Sequence, residues 1–407
     1  MEQIKGGITA VQGFEAAAAE AQIKYEGRTD MALIYSSAPC VAAGTFTTNV
    51  VKAAPVKWDQ KIVAEGNPVH AVIVNSGIAN ACTGAEGMQY CEETAQTAAE
   101  IFGIQKEEVL VGSTGVIGKQ LPMEKIKAGI QMLAAAKGSG EACGSAAAQA
   151  ILTTDTQKKE AAVQVEIGGK TVTIGAMAKG SGMIHPNMCT MLSFLVTDAV
   201  IAKETLQKVL REDVEETYNM ISVDGDTSTN DTVLFLANGL AKNSPICPET
   251  EEYEAFAAAV HFVNEQLAKA IAGDGEGATA LLEVQVVGAS DREQAKKISK
   301  SIVCSNLTKT AVAGHDANWG RILCAMGYAG VSFDPEQIDL FLESEKGTIQ
   351  ILSDGAALPY SEAQATEILS EPAVKILADL KMGDAEATAW GCDLTHGYIE
   401  INADYRS

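Results

Sequence analysis

The chain has 407 residues, 47% of them apolar and 20% charged, with a formal net charge of −23 at pH 7. That length exceeds one small core and implies two lobes or one large layered domain. The acidic balance argues against nucleic acid and anionic membrane surfaces as partners, because both require a basic face. Nine cysteines stand singly with no C-x-x-C pair, which reads as reduced thiols in a cytoplasmic setting rather than disulfides or a zinc site. The opening MEQIKGGITAVQGF has no apolar signal core, and no stretch reaches the ~20 apolar residues of a membrane-spanning helix.

In chain order, Ala16 to Ile23 reads as a brief alanine-rich helix and Met31 to Tyr35 as a strand. GTFTTNVVKAAPV, from Gly44, is β-branched and aromatic, hence strand-like. His70 to Val74 is a buried strand that ends in the small polar loop Asn75 to Gly84. A helix over 89–102, a strand over 108–111, the loop GSTGVIG at 112–118 and an amphipathic helix over 124–136 follow. Between Ala162 and Met177, VQVEI and KTVTI alternate around Gly168-Gly169, which predicts a hairpin with a two-residue turn. Met191 to Val196 is an apolar strand, 203–221 a helix, and 232–236 a strand. The helix 252–271 leads into GDGEGAT at 273–279 and the strand LLEVQVVGA. Helices over 292–301 and 318–326 precede a strand-rich end: QIDLFLE, GTIQILS and CDLTHGYIEINADYRS. Interleaved strands and helices without a repeat indicate an α/β or α+β fold with layered sheets.

The hairpin delivers the chain into KGSGMIHPNMCTMLSFLVTDA, residues 179–199. Glycines on either side of Ser181 open backbone angles that other residues avoid, and Pro186 fixes one more. A strained loop feeding an apolar strand led by a hydroxyl residue is what a chain needs to cut itself. Cutting the Cys189–Thr190 bond would give Thr190 a free α-amine beside its own Oγ, a general base carried by the nucleophile's own residue. The residues alone favour a threonine that satisfies a backbone group where a turn meets a strand. GSTGVIG is not a phosphate loop, since Gly118-Lys119 is followed by Gln120, and its spacing alone favours a tight turn. Taken singly, Lys179 is a lysine at a loop start, and Glu276 is a loop carboxylate whose flanking glycines let backbone approach a ligand. Asp224, Asp226, Asn230 and Asp231 lack the glycine of a calcium loop and read as a turn that shapes the site. The five histidines show no metal-binding spacing, and His185, near the cut, reads as a satisfied loop histidine.

The block KGSGM-I-x-P-x-M-x-TML resembles the signature of the ornithine acetyltransferase (glutamate N-acetyltransferase) family of arginine biosynthesis. SSAPCVAAGTFTTN, NSGIANACTG, STGVIG, TTDT, GDGEGATA and NWGRI resemble further blocks of that family, in order, along nearly the whole chain. The resemblance implies that Thr190 is a self-processing nucleophile and that cleavage after Cys189 gives an α piece, 1–189, and a β piece, 190–407. It implies a layered sandwich of mixed β-sheets covered by helices, with the two pieces interwoven. It assigns the oxyanion hole to Thr114 and Gly115, and substrate contacts to Thr156, Lys179, Thr190, Glu276, Asn402 and Ser407. The implied reaction is ping-pong transfer of acetyl from N-acetylornithine to glutamate through acetyl-Thr190, releasing ornithine. No metal or resident cofactor is implied, and bifunctional relatives also use acetyl-CoA as donor. The implied assembly is a heterotetramer of two α and two β pieces. A lysine beside the new terminus would lower its amine from the ordinary pKa of about 8 by like-charge repulsion. Two positions depart from the family: Cys189 stands where Ala is most frequent, and Ala280 where relatives commonly carry Lys. The rival readings are an N-terminal-nucleophile hydrolase or aminopeptidase on a related scaffold, and an uncleaved amino-acid-binding protein.

Overall fold

A computed structural model describes residues 1–185 and 191–403. The chain divides into two compact units, each assembled from separate segments. The first comprises Met1–Gly180, Pro186–Tyr218 and Thr227–Leu267; the second comprises Ser181–His185, Asn219–Asp226 and Ala268–Ser407.

Among the described residues the first unit is built on a nine-stranded mixed sheet. Its order is Glu2–Ile4, Lys159–Ile167, Lys170–Lys179, Leu192–Thr197, Thr232–Ala237, Met31–Phe46, Val69–Asn75 and Val109–Ser113, with Phe14–Ala19 paired to Met31–Phe46 as a branch. Leu192–Thr197 and Thr232–Ala237 run parallel, with Leu192 opposite Thr232, and every residue of both is buried. Continuous apolar runs of this kind belong to strands covered on both faces. Helices Ala54–Glu65, Gly84–Phe102, Met123–Ala136, Glu141–Ala150 and Lys203–Val214 pack on this unit. The predicted hairpin forms with Ile167 opposite Lys170, and Gly168 and Gly169 both take positive φ (55° and 73°), as a type I′ turn requires. Lys170–Lys179 and Leu192–Thr197 are antiparallel neighbours, with Lys179 opposite Leu192. Strands from either side of the Cys189–Thr190 bond therefore stand side by side in one sheet.

Three predicted elements are corrected. Residues 16–23 are not a helix: Phe14–Ala19 is a strand pinned residue for residue to Met31–Ser36, with Ala16 opposite Ile34. Alanine favours a helix locally, but in a sheet its small side chain lets helices Met123–Ala136 and Glu141–Ala150 lie close against the strand. The strand expected from Gly44 stops at Phe46, and the helix Ala54–Glu65 begins with Pro55 in its first turn, where proline's missing N–H costs nothing. The helix over 203–221 stops at Val214; a 3₁₀ turn, Tyr218–Met220, then buries the Tyr218 ring, whose hydroxyl bonds Ser193 Oγ (2.9 Å) and Asn264 Oδ1 (3.1 Å).

His261 of this unit lies 2.7 Å from Asp213 Oδ1. The Asp213 hydrogen bond raises the imidazole above its ordinary 6.5 against the opposing effect of burial, with Glu265 and Glu216 adding to the rise. A raised imidazole contributes stability that is fully present below the ordinary pKa and is lost as pH rises through the folded-state value. His261→Gln is expected to flatten the decline of the thermal midpoint above about pH 6.5; an identical midpoint–pH curve in both proteins would count against this.

The second unit carries a seven-stranded mixed sheet in the order Ala356–Ala357, Gly347–Ser353, Asp339–Ser344, Ala373–Asp379, Leu281–Ala289, Ala385–Cys392, Ile221–Ser222. Arg292–Cys304 covers Leu281–Ala289 and Ala385–Cys392, and Glu362–Leu369 covers Asp339–Ser344. Helices Asn306–Ala313 and Glu362–Leu369 are announced in the sequence only by their caps: Ser305 and Ser361 accept from Thr308 N and Gln364 N. The chain end also departs from expectation. The last strand stops at Cys392, and Thr395 caps a helix, His396–Asn402, by accepting from Gly397 N. Among the described residues no helix is long and apolar enough to cross a membrane, and the eight cysteines are free thiols.

Candidate active site

In the first unit the buried strand Val109–Ser113 runs parallel to Val69–Asn75 and ends in the turn at Thr114 and Gly115. Thr114 N donates to Asn75 O (3.0 Å), Val116 N to Gly77 O (3.1 Å) and Ala79 N to Val116 O (3.0 Å). Asn75 braces the same loop: its Nδ2 donates to Ile78 O (2.8 Å) and its Oδ1 accepts from Ser113 Oγ (2.7 Å). Gly115 has φ +129°, and a Cβ there would lie 2.3 Å from Gly77 C and 2.5 Å from Gly77 O, so only glycine fits. Among the described residues neither the Thr114 hydroxyl nor the Gly115 N–H takes a partner within the chain. Two adjacent donors on a rigid turn are suited to an oxygen that gains negative charge during reaction.

The same unit places Lys179 at the end of the strand Lys170–Lys179. Its Nζ lies 3.8 Å from Asp155 Oδ2, and both side chains are nearly withdrawn from solvent. Asp155 also accepts from Lys159 Nζ (2.8 Å), Gly180 N (2.6 Å) and Thr153 N (3.1 Å). Burial opposes ionisation of Asp155, but the Lys179 and Lys159 ammoniums, with the Gly180 N–H, outweigh it and hold the carboxyl well below the usual range. The like-charge push that Lys179 would exert on a neighbouring amine is thus partly neutralised by a carboxylate the sequence reading did not pair with it. Thr156 follows Asp155 directly and is exposed. Asp231, at the head of Thr232–Ala237, is pushed well above the usual carboxylate range by burial, although Ser228, Lys179 and Thr47 pull it down.

In the second unit Glu276 and Asn402 are brought together. Asn402 Nδ2 donates to Glu276 Oε2 (2.7 Å), and Glu276 N donates to Ser181 O (2.9 Å). The Glu276 carboxylate lies over Gly182, where any Cβ would fall 2.3 Å from Glu276 Cδ. Gly277, at φ +71°, sits where a Cβ would meet Gly397 C and Tyr398 N at 2.4 Å, and its carbonyl accepts from Thr395 Oγ1 (2.6 Å). The tight packing of GDGEGAT on the terminal helix is thus what carries Asn402 to Glu276. Asp224 holds the approach loop, accepting from Met183 N (2.6 Å), Ile184 N (2.9 Å) and the Tyr398 hydroxyl (3.2 Å). Burial, followed by the charge of Asp224, pushes the Tyr398 phenol well up, so it remains a donor. His185 Nδ1 lies 3.1 Å from Ser222 Oγ, and burial lowers the imidazole to about 4, with Lys300 adding to the effect, so the ring is neutral at pH 7.

Thr114, Gly115, Thr156 and Lys179 are therefore in the first unit, and Glu276 and Asn402 in the second. Cys189, Thr190 and Ser407 lie outside the described residues. Sequence reasoning missed Asp155 as the partner of two lysines. The signal was present as an acid four residues before Lys159 within TTDT.

The ArgJ family model matches residues 15–407. The chain is 53% identical over 409 residues to the arginine biosynthesis bifunctional protein ArgJ of Symbiobacterium thermophilum, with 100% of both chains covered. It is 51% identical over 404 residues to the protein of the same name from Thermotoga neapolitana, covering 97% of this chain and 99% of the relative. Among solved structures it resembles the arginine biosynthesis bifunctional protein argJ of Bacillus halodurans, at 47% identity and a TM-score of 0.51. That match covers 53% of this chain and 99% of the solved one. With a family match and full-length identity of this order, the chain belongs to the ArgJ family.

Proposed function

We propose that this chain is a self-processed N-acetyltransferase of arginine biosynthesis that moves acetyl from N-acetylornithine to glutamate. The observation that carries the reading is end-to-end identity with relatives named as arginine biosynthesis bifunctional proteins. After cleavage of the Cys189–Thr190 bond, the Thr190 α-amine takes the proton from its own Oγ as Oγ bonds to the acetyl carbon. The carbonyl oxygen, now O⁻, receives the Thr114 hydroxyl and the Gly115 N–H. Such a donor typically lowers the barrier by about 3 kcal/mol. The amide C–N bond then breaks, the proton passes to the leaving nitrogen, and ornithine departs from acetyl-Thr190. The neutral amine of glutamate attacks this ester, the Thr190 α-amine passes the proton it loses to Oγ as the C–Oγ bond breaks, and N-acetylglutamate leaves.

Glu276 supplies the charge for the cationic amine of ornithine, with Thr156, Lys179, Asn402 and Ser407 as further contacts. The enzyme holds no resident cofactor, and acetyl-CoA is a second donor. Its working form is a cytoplasmic heterotetramer of two α pieces, 1–189, and two β pieces, 190–407. The solved relative supports the processing: its chain corresponds to 53% of 407 residues, or about 216, close to the 218 from Thr190 to Ser407. Glutamate-dependent deacetylation of N-acetylornithine tests the reaction. Release of acetate to water at the same rate without glutamate would make the protein a hydrolase. One full-length band with ligand binding and no turnover would make it a binding protein. Glu276→Gln is expected to raise KM for N-acetylornithine about tenfold, the loss of one charge-assisted contact, with a smaller change in kcat. An unchanged KM would remove Glu276 from the substrate site.

A further inference from the structure

From sequence the run 224–231 reads as a turn that shapes the site, with no residue of it singled out, and Asn230 occupies a specific place within the first unit. It is buried, and both of its amide hydrogens are used: Nδ2 donates to Ala79 O (2.6 Å) and to Ser113 O (2.8 Å). Its Oδ1 accepts from Thr229 Oγ1 (2.7 Å), which fixes which end of the amide carries the donors. The two carbonyls belong to the two arms of the turn already described. Ser113 immediately precedes Thr114, and Ala79 lies in the loop on which Gly115 rests, directly after Gly77 and Ile78. On its other side the Asn230 carbonyl accepts from Thr232 Oγ1 (3.0 Å), and Thr232 N donates to Met191 O (2.9 Å). Met191 is the residue that follows Thr190 in the chain. One continuous hydrogen-bonded path therefore joins the Thr114–Gly115 turn to the head of the strand Leu192–Thr197.

We infer that Asn230 is a positioning residue: it sets the separation between the Thr114–Gly115 donors and the start of the strand that Thr190 leads into. The inference rests on the reading of that turn as the oxyanion hole. Donors of this kind act only when they meet the developing oxygen at hydrogen-bond distance, and a misplacement of about 1 Å costs about 10²-fold in rate. The clamp resists such drift because moving either arm would strand a buried carbonyl without a partner. Asn230 does not touch the reacting atoms; it acts through the turn.

Full-length Asn230→Asp, Asn230→Ala and Thr229→Val proteins are to be compared with the parent by the half-time of self-cleavage, by kcat and KM for N-acetylornithine, and by thermal midpoint. Both Asn230 variants are expected to cleave and turn over about 10²-fold more slowly, with KM within about twofold of the parent. Thr229→Val keeps the volume but releases the amide orientation, and is expected to lose about tenfold in the same two rates. A folded variant that stays uncut supports the inference. Should the Asn230 variants fail to fold, Thr229→Val decides alone. The inference is overturned if losses match only the folded fraction, if KM rises while kcat holds, or if the folded variants behave as the parent. A parent that cleaves but transfers no acetyl would refute the acetyltransferase reading, while the cleavage half-times would still judge Asn230.

Discussion

Thr190→Ala is expected to migrate as one polypeptide of 42.6 kDa where the parent gives two, and to transfer no acetyl group. On the proposed mechanism, removing Oγ would delete the nucleophile of both steps, and an uncut chain would never expose the α-amine that is to serve as base. The two defects do not add, because each alone abolishes the reaction; the loss in kcat should exceed about 10⁴-fold. Thr190→Ser keeps a hydroxyl and should cleave and turn over slowly. Cys189→Ala removes the neighbouring thiol and should cleave as the parent does. Intact mass and N-terminal sequencing of the three variants read the outcome. If Thr190→Ala is still cut, the thiol of Cys189 or another group performs the cleavage, and Thr190 loses its place at the centre of the mechanism.

The second large effect is expected at Gly115→Ala. The added carbon would enter at 2.3 Å from Gly77 C, 2.5 Å from Gly77 O and 2.7 Å from Ile78 N, all backbone atoms that cannot swing aside. Hydrogen bonds from Thr114 N to Asn75 O and from Val116 N to Gly77 O hold both flanks of the turn, so it must open or the loop 75–79 must retreat. At φ +129° an alanine is also strained for its own sake, by about 1–3 kcal/mol. The expected result is a lower thermal midpoint together with a kcat reduced by at least about 10²-fold in the protein that does fold. A variant with depressed stability but parental kcat would show that the turn is structural and that the oxyanion is stabilised elsewhere.

The two units differ in how openly the sequence announces their parts. The hairpin at 159–179 is legible because period-two alternation and a glycine pair are both local signals. The runs at 192–197 and 232–237 are legible as continuous apolar, β-prone stretches, which is also a local signal. Phe14–Ala19 is not, because its strand state is imposed by pairing with Met31–Phe46 against the helical preference of alanine. The terminal helix is signalled only by Thr395 at its cap, within a segment whose Ile and Tyr content suggests a strand. Among site residues, the glycines around Glu276 and the turn at Thr114–Gly115 stand out as sequence. Asp155 between two lysines does not, and neither does Asn230, whose carbonyl partners lie 151 and 117 residues away.

The primary structure by itself marked the places where chemistry is proposed, namely a hydroxyl residue between a glycine-rich loop and an apolar strand, a glycine-bearing turn and a carboxylate between glycines, and the family blocks in their order supplied the reading of them. These are properties of residue types and short spacings, and they survive without knowledge of the fold. Only the tertiary structure decided which polar groups are withdrawn from water and what they face. Burial raises Asp231 and lowers His185, two buried lysines hold Asp155 ionised against its own burial, and long-range hydrogen bonds lock Asn230 to the turn and Asn402 to Glu276. The physical reason is that desolvation and hydrogen-bond geometry depend on neighbours brought together by folding, which no local stretch of chain specifies.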